Sequence, residues 1–160
     1  MDYEPYFQAL AQRLGFESLP FDNDGICSLA FEERFTITLE WHAEHATLYL
    51  HSTLGTAPED IIDQLTCFAA LLEANLFGRG TGGANLAYEP RSQTLMISRT
   101  LVLSQLDADA LQQAFGVFVQ ATETWCERVA DRFWEDDTEA SGGDVNPADT
   151  ESANPIFIKV

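Results

Sequence analysis

The chain has 160 residues, 46% hydrophobic and 11% aromatic, which fits one globular domain able to bury about 70% of its unfolded surface. Against 26 Asp and Glu stand only 8 Lys and Arg, a formal net charge of −18, so a phosphate backbone is repelled and nucleic acid is not expected as a partner. The longest uninterrupted apolar run, from 67 to 72, is too short to span a bilayer, and Met1-Asp2-Tyr3-Glu4 lacks the basic start of a signal peptide. No membrane partner is therefore expected, and the expected compartment is the cytoplasm.

Tyr6, Phe7, Leu10 and Leu14 stand at helical spacing before Gly15, which predicts an amphipathic helix over 3–14. Leu29 and Phe31 lead through Glu32-Glu33-Arg34 into Phe35, Ile37, Leu39 and Trp41, which alternate with polar residues. The pattern resumes at Ala46, Leu48 and Leu50, giving three strands of an antiparallel meander with one polar face. Thr56-Ala57-Pro58-Glu59 combines a cap, an early proline and a glutamate three positions after the cap, predicting a helix over 57–76. Its main stripe is Ile61, Leu65, Phe68, Ala69, Leu72 and Leu76, expected to lie on the sheet. A second apolar strip, Cys67, Ala70, Leu71 and Ala74, faces either a second subunit or the last helix; we favour the subunit because so small a domain has little material to spare. After the glycine-rich loop 78–83 a hairpin is expected, with Leu86 and Tyr88 in one strand and Leu95 and Ile97 in the other. Asp107 caps a last helix with Leu111, Phe115, Phe118, Val119, Cys126 and Val129 on one face. The order α-β-β-β-α-β-β-α indicates an α+β fold, three helices on an antiparallel sheet. The domain is placed at 1–134, with formal charge −12, and an acidic tail at 135–160, with formal charge −6.

No residue nominates itself for catalysis, a cofactor or a metal, and the chain is read as not an enzyme. Gly78-Arg79-Gly80-Thr81-Gly82-Gly83 follows a helix and enters a strand, the reverse of the order that aims a helix N-terminus at a phosphate. His42, His45 and His51 lack the further ligands that a metal site requires and read as exposed hairpin residues. Cys27, Cys67 and Cys126 lie far apart, without the paired spacing of a metal site or the even count of a disulfide framework, and read as reduced core residues. The aromatics are many for one modest sheet. Leu14, Phe16, Leu29, Phe31, Phe35 and Ile37 are the candidates to line an apolar groove for a partner, which the high negative charge keeps soluble.

Several stretches together resemble the class I type III secretion chaperones, the CesT or Tir chaperone family. They are Leu10-Ala11-Gln12-Arg13-Leu14-Gly15, Leu19-Pro20-Phe21-Asp22, Gly25-Ile26-Cys27-Ser28-Leu29-Ala30-Phe31, Leu71-Leu72-Glu73-Ala74-Asn75-Leu76-Phe77 and Gly80-Thr81-Gly82-Gly83-Ala84. The resemblance implies a homodimer that binds the N-terminal segment of a secreted effector in the bacterial cytoplasm, holds it non-globular and soluble, and hands it to the export machinery, whose ATPase is a further partner. Groove residues would then take the effector by helix-in-groove contacts and by strand addition. The family's dimer elements map onto Ala70, Leu71, Ala74, Leu86 and Tyr88. An alternative on the same fold is a regulator that sequesters a partner controlling secretion genes. Residues 135–160 depart from the family pattern. They read either as a solvated tail or, at Ile156-Phe157-Ile158-Lys159-Val160, as a segment that lies along an edge strand or in the empty groove.

Overall fold

The computed structural model describes residues 3–31 and 34–135. The elements follow the expected order: α1 (Glu4–Arg13), β1 (Ile26–Phe31), β2 (Phe35–His42), β3 (Thr47–Thr56), α2 (Ile61–Asn75), β4 (Asn85–Glu89), β5 (Thr94–Val102) and α3 (Ala108–Ala130). Apart from Glu135, the predicted tail and its apolar segment 156–160 lie outside the described residues.

All five strands join one antiparallel sheet in the order β1-β2-β3-β5-β4. Because side chains alternate along each strand, the register sorts them into two faces. Leu29 opposite Ile37, Cys27 opposite Leu39, Leu48 opposite Leu101 and Leu86 opposite Ile97 are buried on one face. Ser28, Thr38, His51, Ser98 and Asn85 form a row across the other, which stays open to water. The helices lie on the apolar face, giving a two-layer fold with its core between them.

On α3, Leu111, Phe115, Phe118, Thr122, Trp125 and Val129 recur at intervals of three and four and are all buried. Asp107 caps the helix by accepting from Ala110 N at 2.7 Å. Thr122 and Trp125 replace the expected Val119 and Cys126 at the centre of this face, and each brings its own hydrogen-bond partner. The Thr122 hydroxyl donates to Phe118 O at 2.8 Å, and the Trp125 indole N–H donates to Gly80 O, also at 2.8 Å. That second bond pins the glycine-rich loop to α3. Gly82 sits there at φ +59°, where any Cβ would collide with Val117, which explains the glycine better than anion binding does. Arg99 tightens the same corner by donating to Gly82 O and Ala114 O, both at 3.2 Å. α1 closes one end of the layer, with the Phe7 ring 5.1 Å from Phe21 and 5.2 Å from Trp41.

α2 departs from the expectation in two ways. It begins at Ile61, not Ala57, because Thr56 still pairs with Thr94 and Ala57 N donates to Gln93 O at 2.8 Å. Sheet pairing thus outlasts the apparent cap, and Asp60 supplies the real one by accepting from Ile62 N and Asp63 N. The helix also carries its faces the other way round. Cys67 and Leu71, from the strip assigned to a second subunit, are buried against the sheet, while Ile61, Leu65, Leu72 and Leu76 from the main stripe are exposed. Asn75 holds this orientation. Its amide donates to Leu86 O at 3.0 Å and accepts from Leu86 N at 2.8 Å, tying the end of α2 to β4.

Replacing Asn75 with Ala leaves both Leu86 groups unpaired. It should lower stability by about 1–3 kcal/mol, read as a lower urea midpoint with an unchanged denaturant slope.

Candidate partner-binding surfaces

The two edges of the sheet are finished differently. At the β4 edge the Asn75 amide occupies the outward N–H and C=O of Leu86. At the β1 edge Asp22 does the same for the first residue only: its carboxylate accepts from Ile26 N at 2.8 Å and its N–H donates to Ile26 O at 2.9 Å. Outward groups recur every second residue in an antiparallel strand, so the next are those of Ser28 and Ala30. Among the described residues nothing bonds them on that side. Ile26-Cys27-Ser28-Leu29-Ala30-Phe31 also contains none of the charges or prolines that usually protect an edge.

Beside the end of this edge, Phe31 and Phe35 stack with ring centroids 5.2 Å apart. With Arg34, Val119 and Glu123 they line a cavity of about 160 Å³. Arg34 spans from the β1–β2 turn to α3, pairing with Glu123 and Glu127 at 2.5 Å each. Those two carboxylates raise the guanidinium pKa above its ordinary value. The clamp keeps the turn against the helix while leaving both rings half-exposed.

The predicted groove residues therefore separate. Phe31 and Phe35 come together at one surface. Leu14 and Phe16 follow α1, half-buried and exposed respectively, and are not among the walls of that cavity. Leu29 and Ile37, at 5% and 0% exposure, are core residues under the helices and face no groove. Alternation places Leu29, Phe31, Phe35 and Ile37 on the apolar side of the sheet, but tertiary packing decides which of them is covered.

The second surface is the outer face of α2. Ile61, Ile62, Leu65, Leu72 and Leu76 are exposed, Leu72 at 70%, and Phe77 continues the patch at 85%. Phe77 adopts φ +57° in the 3-10 turn Leu76–Gly78 that ends the helix, a left-handed conformation costing a residue with a Cβ about 1–2 kcal/mol. By length and composition alone, Ile61–Gly78 would pass for a membrane span, a signal that the search for uninterrupted apolar runs missed. Of the predicted contact residues, Leu71 at 5% and Leu86 at 6% are buried within the subunit. Ala70, Ala74 and Tyr88 are half-buried, and the Tyr88 ring lies 4.8 Å from Phe68.

Reactive chemistry has little footing in these surfaces. His42 Nε2 lies 3.1 Å from Glu40 at the open face, and among the described residues no group of three His, Cys, Asp or Glu is placed to hold a metal. Burial pushes the thiols of Cys27 and Cys126 up, and that of Cys67 from 9.0 to about 11, keeping them in the unreactive protonated form near neutral pH. A cleft of about 490 Å³ lies between the end of β3 and the end of α3, with Glu59, Asp60 and Asp63 on one wall and Arg132 on another. Arg132 is itself paired with Glu135 at 2.8 Å.

The family model described as Tir chaperone protein (CesT) family matches residues 7–126. A Tir chaperone of Escherichia coli O157:H7 is 27% identical over 121 residues, covering 75% of this chain and 74% of that protein. One from Citrobacter freundii is 25% identical over the same length and coverage. Among solved structures, a chain of the ExsC–ExsE complex superposes with a TM-score of 0.62 at 21% identity, covering 79% of this chain and 96% of that one. A chain of the HopA1–SchA chaperone–effector complex gives 0.60 at 21%, covering 78% and 93%.

The buried thiol makes an alkaline prediction. The unfolded Cys67 ionises near 9.0 and the folded one near about 11, so the folded state favours the protonated form, and this contribution is lost as pH rises between those values. The urea-midpoint difference between wild type and Cys67→Ala should hold constant below pH 9 and shrink from pH 9 to 11.

Proposed function

Because the chain belongs to the Tir chaperone protein (CesT) family, matched over residues 7–126, we propose that it is a chaperone for a type III secreted effector. It holds the effector's N-terminal segment soluble and non-globular inside the bacterium until export. The observation that carries this reading is the β1 edge, with two outward residues unbonded among the described residues beside the half-exposed Phe31–Phe35 stack. An extended segment paired to that edge gains backbone hydrogen bonds whatever its sequence, and apolar side chains on it find the aromatic pocket. Leu14 and Phe16 offer a second apolar foothold for a segment long enough to wrap around α1. The work is binding, with no bond made or broken, and the export ATPase is the receiving partner in this reading. The names Tir chaperone and chaperone–effector complex among the relatives support it.

The exposed face of α2 supports a homodimer. On a two-fold axis, Leu65, Leu72 and Leu76 meet their own copies in an isologous contact, and each such side chain contributes roughly 1–2 kcal/mol when its exposed part is covered. Of the half-buried candidates, Ala70 and Ala74 border this face and Tyr88 supports it from β4. Subunit contact also accounts for the apolar length of Ile61–Gly78 without a membrane.

Native purification of the full chain from its source bacterium, with mass spectrometry and limited proteolysis, tests the function. Recovery of a secreted protein protected through its N-terminal region supports it; recovery of a gene regulator alone moves the reading to the sequestering alternative. Phe35→Asp should weaken capture of that segment at least tenfold with the circular dichroism spectrum retained, and full affinity in the variant would remove this pocket from the site. Leu72→Glu places two unpaired charges across the axis and should give folded monomers in sedimentation experiments. Leu71→Glu should unfold the subunit, since Leu71 is buried. A dimeric Leu72→Glu variant would move the contact elsewhere.

A further inference from the structure

We propose that the β1 edge has an occupant within this same chain. Residues 156–160, Ile156-Phe157-Ile158-Lys159-Val160, pair with Ser28 and Ala30 and yield the edge when an effector segment arrives. This rests on the reading of that edge as the effector site.

The edge and the segment match in size and in kind. Two outward residues two positions apart accept one strand of about five residues. The segment is five residues long and alternates, with two isoleucines and a valine on one side and Phe157 and Lys159 on the other. Either side sets an apolar residue against the Phe31–Phe35 cavity, whose volume of about 160 Å³ suits a single side chain. The opposite edge offers less, because Asn75 already occupies the outward groups of Leu86.

Charge selects this segment from the rest of the tail. Residues 136–151 carry six acids and no basic residue, whereas 152–160 carry none and include Lys159, the only lysine in the chain. The acidic domain repels the first stretch more strongly than the second. At the flank of the edge, Glu123 and Glu127 set two negative charges against the single positive charge of Arg34, leaving an excess that a lysine complements.

Reach is ample. The Arg34–Glu127 pair brings α3 alongside the β1–β2 turn, and the described chain ends at Glu135, eight residues further on and past the end of α3 at Ala130. Twenty residues separate Glu135 from Ile156, a spacer with a root-mean-square span of about 25 Å as a flexible chain and up to about 70 Å extended. A tether of this kind supplies an effective concentration in the millimolar range. Even a pairing with millimolar intrinsic affinity then covers the edge for half the time or more. Occupancy between one half and nine tenths lowers a competitor's apparent affinity about 2–10-fold, enough to shield the edge and still release it.

The test uses the full chain without an effector. Amide exchange at Ser28 and Ala30, read by NMR, should be about 2–10-fold slower in the wild type than in full-length Ile158→Pro or in a chain ending at residue 149, with the buried β3 and β5 amides unchanged in all three. Equal rates at both residues in all three proteins overturn the proposal. In a mixture of light and heavy-isotope chains, carbodiimide cross-links from Lys159 should stay within one chain; links between unlike chains overturn the assignment to its own edge. Once an effector segment is in hand, removing residues 150–160 should strengthen its binding about 2–10-fold. An edge that proves open in the free protein yet protected by effector leaves the chaperone reading standing and removes this one. An edge closed by residues 156–160 that no effector displaces overturns the release step of the proposal together with the reading of this edge as the effector site.

Discussion

Both groups of the Asn75 amide are committed to Leu86, one as donor and one as acceptor, and much of the molecule's outer form follows from that pair. A primary amide offered to a single residue's N–H and C=O reproduces what a neighbouring strand would provide, so this part of the β4 edge is satisfied without a sixth strand. The same two bonds fix the end of α2. With about 100° of rotation per residue, seating Cys67 and Leu71 on the sheet turns Leu65, Leu72 and Leu76 outward. The chain then reverses through the left-handed Phe77, and Gly80 is caught by the Trp125 indole on α3. One polar side chain at the end of a helix thus connects the closed edge, the displayed apolar face and the loop that returns to the core.

Most of the fold was legible in the sequence because it rests on local periodicity. The alternation of Phe35, Ile37, Leu39 and Trp41, the three-and-four spacing of Leu111, Phe115 and Phe118, and the Asp107 cap each report on their own neighbourhood, and the structure agrees at all of them. The orientation of α2 was not legible in the same way. Both of its strips are apolar, and nothing within the helix ranks Cys67 and Leu71 above Leu65 and Leu72. The deciding contact reaches from Asn75 across to β4, and an asparagine near a helix end is common enough to pass unremarked. The helix start failed for a related reason: Thr56-Ala57-Pro58-Glu59 has the composition of a cap, but Thr56 is held in the sheet by Thr94, and a tertiary ladder outweighs a local motif.

The partner surfaces were legible only in part, and burial marks the boundary. Reading apolar residues around the first helix and on the inner side of the first strands as groove candidates alike treats that face as uniform. Leu29 and Ile37 are buried at its centre, while Phe31 and Phe35 stay half-exposed at its rim, where Arg34 holds the turn against Glu123 and Glu127. The edge itself left no signature in hydropathy. It appears only when the outward N–H and C=O groups are followed one residue at a time, from the Asp22 cap at Ile26 to the groups of Ser28 and Ala30, unbonded among the described residues.

An unguarded edge strand and an exposed leucine face are ordinarily liabilities, since either can recruit further copies of the same chain without limit. Net charge changes that balance. At −18 per chain, approaching copies repel, and self-association survives only where a contact buries enough apolar surface to overcome the repulsion, as the broad α2 face can and a five-residue edge cannot. A neutral or basic segment approaching the same edge meets no such barrier, and within a Debye length of about 8 Å it is drawn in. Backbone pairing contributes strength without discriminating among sequences. Discrimination therefore falls to the aromatic cavity at one end of the edge and to the acidic field around it, a division of labour that suits holding an extended segment firmly while asking little of its sequence.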